Sequence, residues 1–124
     1  MGKKVIVIDD SKTIREMVRF ALEHAGYSIV EAVDGKDGFE KLKSTSDLSM
    51  AIVDVNMPNM SGIDMLEALK KGSIAQNVPA IMLTTEGQAA LIQRAKQAGA
   101  RGWMVKPFKP DQLVATVGKL AGPP

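Results

Sequence analysis

The 124-residue chain contains no cysteine and a single histidine, His24. The lack of cysteine excludes disulfides, zinc–thiolate sites, iron–sulfur clusters and cysteine nucleophiles. One histidine argues against a histidine-based metal cluster or a Ser-His-Asp triad. Any chemistry must therefore come from carboxylates, hydroxyls, amides and lysines.

Two further absences narrow the class of protein. No apolar run approaches the length that spans a membrane, so no membrane partner is expected. The formal net charge of +2 is too small to indicate direct nucleic-acid binding. The opening Met-Gly-Lys-Lys leads straight into an apolar run and fits no signal peptide. The length predicts one domain over residues 1–124, and these features together predict a cytoplasmic location.

Short apolar runs alternate with helical patterns five times along the chain. The runs are Val5–Ile8, Ser28–Ala32, Met50–Val53, Ala80–Leu83 and Gly102–Val105. Continuous apolar runs of this length are typical of strands buried on both faces of a parallel sheet. Each run is followed by apolar residues at helical spacing, as in Leu91, Ala95 and Ala98 of the fourth helix, which leaves Ile92 outside. The alternation predicts an α/β fold with an open parallel sheet and helices on both faces.

Polar residues follow four of these runs, at the sheet edge where ligands of open parallel sheets bind. They are Asp9 and Asp10, then Asp54, then Thr84 and Thr85, and finally Lys106. Each has an ordinary alternative, because Asp10 or Ser11 could cap the first helix and Thr85 could cap the fourth, with Glu86 in its first turn. Asp54 could face a loop, and Lys106 could be a solvated lysine. Those alternatives do not explain why three carboxylates sit at neighbouring strand ends.

Clustered carboxylates repel one another. Two of them ~5 Å apart at an effective dielectric constant of ~20 repel by on the order of 3 kcal/mol. We therefore expect either a raised pKa at one of them or a bound divalent cation. An all-oxygen ligand set favours Mg²⁺, or Mn²⁺ in its place. An aspartate beside such an ion, with a lysine and a threonine opposite, suits phosphoryl transfer to the carboxylate.

These residues resemble the receiver domain of two-component response regulators, and within that family the single-domain chemotaxis regulators. The resemblance covers essentially the whole chain. It rests on four blocks at predicted strand ends, Asp9-Asp10-Ser11, Asp54–Pro58 with Gly62, Thr84-Thr85-Glu86 and Lys106-Pro107-Phe108. It implies a flavodoxin-like (βα)5 doubly wound sheet with strand order 2-1-3-4-5. A cis peptide bond before Pro107 is also implied.

The resemblance implies a phosphoacceptor and its metal ligands. Asp54 would accept the phosphoryl group. Asp10 would bind Mg²⁺ directly, Asp9 would act mainly through a metal-bound water, and Asn56 would contribute its backbone carbonyl. The phosphoryl donor would be a sensor histidine kinase, of the CheA type if the chemotaxis likeness holds.

The resemblance also implies a switch. Thr84 would hydrogen-bond the phosphoryl group and Lys106 would pair with it. Trp103 would turn inward behind Thr84. Helix four, strand five and helix five would then form a changed surface that includes Ile92. This surface would bind a downstream target such as a flagellar motor switch protein. The domain is expected to be a monomer.

Several departures and alternatives accompany this interpretation. Trp103 stands where tyrosine is usual in the chemotaxis subgroup, Val55 follows Asp54, and the chain is mildly basic. A haloacid-dehalogenase-type phosphatase also uses an aspartyl phosphate, but Asn56 occupies the place of its general acid. A flavodoxin-like FMN binder is disfavoured because Asp9 and Asp10 would repel the phosphate. A receiver excised from a multidomain regulator, or a phosphorelay intermediate, remains an alternative within the family.

Overall fold

The computed structural model describes residues 2–85 and 89–124. In those residues five strands alternate with five helices. Their bounds are β1 Lys4–Ile8, α1 Lys12–His24, β2 Ser28–Ala32, α2 Gly35–Ser44, β3 Leu48–Asp54, α3 Gly62–Lys71, β4 Ala80–Thr84, α4 Ala89–Gln97, β5 Gly102–Val105 and α5 Pro110–Ala121. Each predicted strand is confirmed to within two residues at either end. None of the helices in the described ranges is long and apolar enough to cross a membrane.

The strands form one parallel sheet in the order β2-β1-β3-β4-β5, which confirms the implied topology. The register pairs Ile8 with Val53, Asp54 with Leu83, and Thr84 with Val105. The carboxyl ends of β1, β3, β4 and β5 therefore lie side by side at one rim of the sheet. Residues that immediately follow those ends are brought within reach of one another.

The core consists of two layers, one on each face of the sheet. Val5 and Val7 pack on the face covered by α1 and α5, whereas Ile6 and Ile8 pack on the face covered by α2, α3 and α4. All four side chains are fully buried. Burial on both faces explains why β1 reads as a continuous apolar run. Each such side chain contributes roughly 1.5–3 kcal/mol to folding.

Local signals fix the ends of α1 and leave Asp10 outside the helix. The Ser11 hydroxyl accepts a hydrogen bond from the backbone N–H of Ile14 and so caps the first turn. At the other end, Gly26 adopts a φ of +107°, a conformation that costs glycine little. Because Ser11 is the cap, the Asp10 carboxylate is not used to begin the helix.

Candidate functional site

Three carboxylates meet at the rim of the sheet. Asp9 and Asp10 follow β1, and Asp54 is the last residue of β3. One carboxylate oxygen from each lies within 4.8 Å of the others. Asp9 and Asp54 are buried, with exposed fractions of 0% and 6%, whereas Asp10 is exposed. The cluster is thus open to solvent on the side of Asp10.

Lys106 joins two of these carboxylates. Its Nζ lies 3.1 Å from Asp9 Oδ2 and 3.1 Å from Asp54 Oδ1, and its side chain is only 20% exposed. The alternative of a solvated lysine is therefore wrong. The backbone supports this placement, because the Lys106 N–H donates to the carbonyl of Thr84 at 2.7 Å. The peptide bond from Lys106 to Pro107 is cis, as the resemblance implies.

The electrostatics of the cluster shift two pKa values. Burial, and then repulsion from Asp9, raises the pKa of Asp54 to about 6, although Lys106 opposes the shift. The pKa of Lys106 is raised overall; burial acts to lower it, but hydrogen bonds and charge attraction from Asp9 and Asp54 outweigh that effect. One of the clustered carboxylates thus has a raised pKa, which is one of the two expected consequences, but burial contributes more to the shift than the repulsion from which it was expected.

Thr84 brings an unpartnered hydroxyl to the same rim. It is the last residue of β4 and is 2% exposed. Its Oγ1 is buried and has no hydrogen-bond partner among residues 2–85 and 89–124. A buried hydroxyl without a partner costs about 1–3 kcal/mol, so this position favours an acceptor supplied from solution. Glu86 lies outside the described residues, as does the segment that would show whether Thr85 caps α4.

The loop after β3 is packed closely against Asp54. A side-chain carbon on Gly62 would lie 2.2 Å from the carbonyl oxygen of Asp54, so only glycine fits where α3 begins. The Gly62 N–H donates to the carbonyl of Val55 at 3.1 Å. Asn56 lies two residues beyond Asp54 in this loop and is exposed. The loop is therefore packed against the Asp54 and Val55 backbone, and the role of the Asn56 carbonyl as a metal ligand stays a prediction.

The residues present fit Mg²⁺. The donor set is entirely oxygen, and one of its carboxylates faces solvent. Mg²⁺ prefers such hard donors and retains several of its waters. A divalent cation would also offset the repulsion that burial of Asp9 and Asp54 imposes.

Trp103 of β5 and Ile92 of α4 are the residues expected at the partner-binding surface. Trp103 is 42% exposed, and the ammonium of Lys96 sits 4.5 Å from its ring centroid. Of the α4 residues predicted to face the core, Ala95 and Ala98 are buried and Leu91 is half-buried against the core. Ile92, which was predicted to lie outside, is half-buried as well. Trp103 pairs with Met82 in the sheet, two residues before Thr84.

Sequence reasoning overlooked one residue that contacts the cluster. Arg15 of α1 donates from Nη1 to the carbonyl oxygen of Asp9 at 2.8 Å, and from Nε to Glu31 of β2 at 2.9 Å. A signal was available, because Glu31 interrupts the apolar residues of β2 and a charge in such a position needs a partner.

The family model for the response regulator receiver domain matches residues 5–118, and the chain belongs to that family. Receiver domains bind Mg²⁺ at an acidic pocket of this kind.

Within the family, several of the similar proteins are chemotaxis proteins. The chain is 39% identical to chemotaxis protein CheY1 of Helicobacter pylori over 111 residues, which cover 89% of this chain and 90% of the relative. It is 34% identical to chemotaxis protein CheY of Thermotoga maritima over 122 residues, or 98% of this chain and 99% of the relative. The solved structure of chemotaxis response regulator CheY4 of Vibrio cholerae matches with a TM-score of 0.87 and 38% identity, covering 97% and 99% of the two chains. The chain is thus a CheY-like receiver domain, which implies signalling that depends on phosphorylation.

Proposed function

We propose that this protein is a chemotaxis switch that accepts a phosphoryl group on Asp54 from a sensor histidine kinase of the CheA type. Residues 1–124 act as a single receiver domain. Phosphorylation changes the α4–β5–α5 face, which then binds a downstream target such as a flagellar motor switch protein. The observation that carries the proposal is the Lys106 ammonium joining Asp9 to Asp54, with Asp10 in the same carboxylate cluster. At the end of the neighbouring strand β4, the buried Thr84 hydroxyl has no hydrogen-bond partner among residues 2–85 and 89–124.

Asp54, Lys106 and Thr84 have different roles in the phosphoryl transfer. The Asp54 oxygen that Lys106 does not contact attacks phosphorus. The bond from phosphorus to the imidazole nitrogen of the donor breaks, and the imidazole keeps the electron pair. Lys106 stabilises negative charge on the transferred group, and Thr84 donates its hydroxyl hydrogen to a phosphoryl oxygen of the product. The protein changes only its own phosphorylation state, since Asn56 cannot act as the general acid of a phosphatase.

Asp9, Asp10, Asp54 and the backbone carbonyl of Asn56 would hold Mg²⁺ in this proposal, with Mn²⁺ able to substitute. When bound, the ion supplies positive charge that offsets the charge of the phosphoryl oxygens.

The proposal is tested with acetyl phosphate as a small phosphoryl donor. Intact mass spectrometry should show one added phosphoryl group with Mg²⁺ present, and none after chelation with EDTA. Labelling that ignores the chelator would contradict it.

Trp103 offers an optical test of the switch, because it is the only tryptophan in the chain. We expect its emission to move to shorter wavelength on adding Mg²⁺ and beryllofluoride, a phosphoryl analogue. The reason is that the indole, now 42% exposed, turns into space that Thr84 vacates as it moves toward the analogue. Fluorescence excited near 295 nm measures the change.

The shift should vanish in Asp54→Asn, which cannot hold the analogue. It should shrink in Thr84→Ala, which binds the analogue but lacks the coupling hydroxyl. A spectrum that is indifferent to beryllofluoride in the wild type would contradict the rotating aromatic while leaving phosphorylation of Asp54 intact.

Ile92 tests the partner surface. Ile92→Asp should leave phosphorylation unchanged and weaken capture of the motor switch protein by the beryllofluoride-activated domain, because a charge replaces an apolar contact on α4. Val33→Asp is the matched control, since Val33 is 50% exposed and follows β2 at the opposite edge of the sheet. Equal capture by wild type and Ile92→Asp would remove Ile92 from the interface.

A further inference from the structure

The peptide that joins Asp9 to Asp10 is held by a guanidinium. Arg15 Nη1 lies 2.8 Å from the carbonyl oxygen of Asp9. Arg15 stands in the second turn of α1, and its backbone N–H donates to the carbonyl of Ser11, the helix cap. The side chain is only 13% exposed. It thus reaches back from α1 to the point where the chain leaves β1.

Glu31 holds this guanidinium in place. Glu31 lies opposite Val7 in the register of β1 and β2. One of its carboxylate oxygens accepts from Arg15 Nε at 2.9 Å and the other accepts from Arg19 Nε at 2.7 Å. The planar fork of an arginine can serve a carboxylate and a carbonyl at the same time, which a lysine ammonium on a flexible stem does less well.

The two aspartates depend on this peptide to different degrees. Both carboxylate oxygens of Asp9 are held, one by the Ser11 N–H at 2.9 Å and the other by Lys106 at 3.1 Å. The Asp10 carboxylate, by contrast, has no side-chain hydrogen bond among residues 2–85 and 89–124. The position of Asp10 therefore rests on its backbone, and the Arg15 contact fixes the peptide plane that precedes it.

We infer that Arg15 is a positioning residue of the divalent-cation site, acting through the Asp9–Asp10 peptide to aim the Asp10 carboxylate. The inference rests on the metal site in the proposed function. Groups that orient metal ligands without touching the metal typically change affinity by about 10–100-fold when they are removed. Arg15 touches neither the phosphoacceptor nor a ligand carboxylate, so any effect it has on the orientation of Asp10 passes through the backbone of Asp9.

The loss of the Arg15 charge and the loss of its contact with Asp9 should change cation affinity in opposite directions, so the two effects can be told apart. Removing a positive charge near a cation site by itself tightens binding of a divalent ion, because like charges repel. A weaker affinity for the cation in Arg15→Met would therefore show that the Asp10 carboxylate is no longer held in position. Arg15→Lys keeps the charge but loses the planar guanidinium that donates to both Glu31 and Asp9. This variant should also bind the cation more weakly than the wild type. Arg19→Met is the matched control, because Arg19 pairs with the same Glu31 and does not contact Asp9.

The experiment measures Mn²⁺ binding from the electron paramagnetic resonance signal of the free ion, with Mg²⁺ affinity taken by competition. We expect binding about tenfold weaker in Arg15→Met and several-fold weaker in Arg15→Lys, with Arg19→Met close to wild type. Thermal unfolding without metal, followed for every variant, shows whether each is folded. If Arg15→Met does not fold, Arg15→Lys carries the test.

The outcomes separate this inference from the proposed function. Wild-type affinity in the Arg15 variants, or tighter binding in Arg15→Met, would overturn the positioning role while leaving the metal site standing. Equal weakening in Arg15→Met and Arg19→Met would also overturn it, since the effect would then belong to the Glu31 ion pairs in general. If wild type and Asp10→Asn bind Mn²⁺ equally poorly, the metal site itself fails, and the inference fails with it.

Discussion

Asp54→Asn should reduce phosphoryl labelling by acetyl phosphate to background, whereas the wild type takes up one phosphoryl group in the presence of Mg²⁺. Asparagine has nearly the same shape as aspartate and fits the buried end of β3. Its neutral amide is a poor nucleophile and supplies no carboxylate oxygen to bond phosphorus. Intact mass spectrometry measures the labelled fraction over time.

Asp47→Asn is the control for this loss. Asp47 is exposed and pairs with Lys4 at the opposite end of β1, far from the rim. Its variant should be labelled at the wild-type rate. If Asp54→Asn were labelled as fast as the wild type, Asp54 would not be the acceptor, and the site would have to be sought at Asp9 or Asp10.

The fold was largely predictable because each strand carries its own signal. Val5–Ile8 is apolar at every position, and both of its faces are covered by helices, so the pattern and its cause agree. The start of β3 was missed, because Leu48-Ser49 mixes an apolar and a polar residue before the continuous run begins. The strand order came from the family resemblance, since periodicity alone does not order strands within a sheet.

The general location of the candidate site was predictable, because ligands of open parallel sheets bind at the carboxyl ends of the strands. That rule brought Asp9, Asp10, Asp54 and Lys106 to one rim. It gave no distances, so the double contact of Lys106 with Asp9 and Asp54 had to come from the structure. The Arg15 contact also needed the structure, because it depends on the register that sets Glu31 beside Val7.

Without metal, the ionisation of Asp54 should remove stability from the domain as the pH rises from about 4 to about 6. The pKa of Asp54 is about 6 in the folded protein against an ordinary value of 3.8, because burial and the charge of Asp9 disfavour the ionised form. Between those values the folded state binds more protons than the unfolded state. The stability that protonation confers is therefore fully present below about 3.8 and is lost as the pH rises through about 6.

A shift of this size corresponds to at most about 3 kcal/mol in the free energy of unfolding. Asp54→Asn removes the titrating group, so at pH 7.5 in EDTA it should be more stable than the wild type by roughly 2 kcal/mol. The advantage should shrink toward zero near pH 4, where the wild-type carboxyl is neutral as well. Urea denaturation of both proteins across this range measures the difference.

Comparing the two proteins isolates Asp54 from other acids. Glu31 has a lowered pKa because of its hydrogen bond from Arg19, and Asp34 has one because of the Asp37 backbone N–H. Both groups therefore raise the free energy of unfolding as the pH rises, which is opposite to the effect of Asp54. Their effects cancel in the difference between wild type and Asp54→Asn. The Asp47→Asn control should not remove the fall in stability, because the Lys4 hydrogen bond lowers the pKa of Asp47. A difference that stays flat from pH 4 to 8 would mean that the charge on Asp54 does not destabilise the metal-free fold. In that case Lys106 alone would compensate the clustered carboxylates, and the argument that repulsion draws a cation to this rim would lose its physical basis.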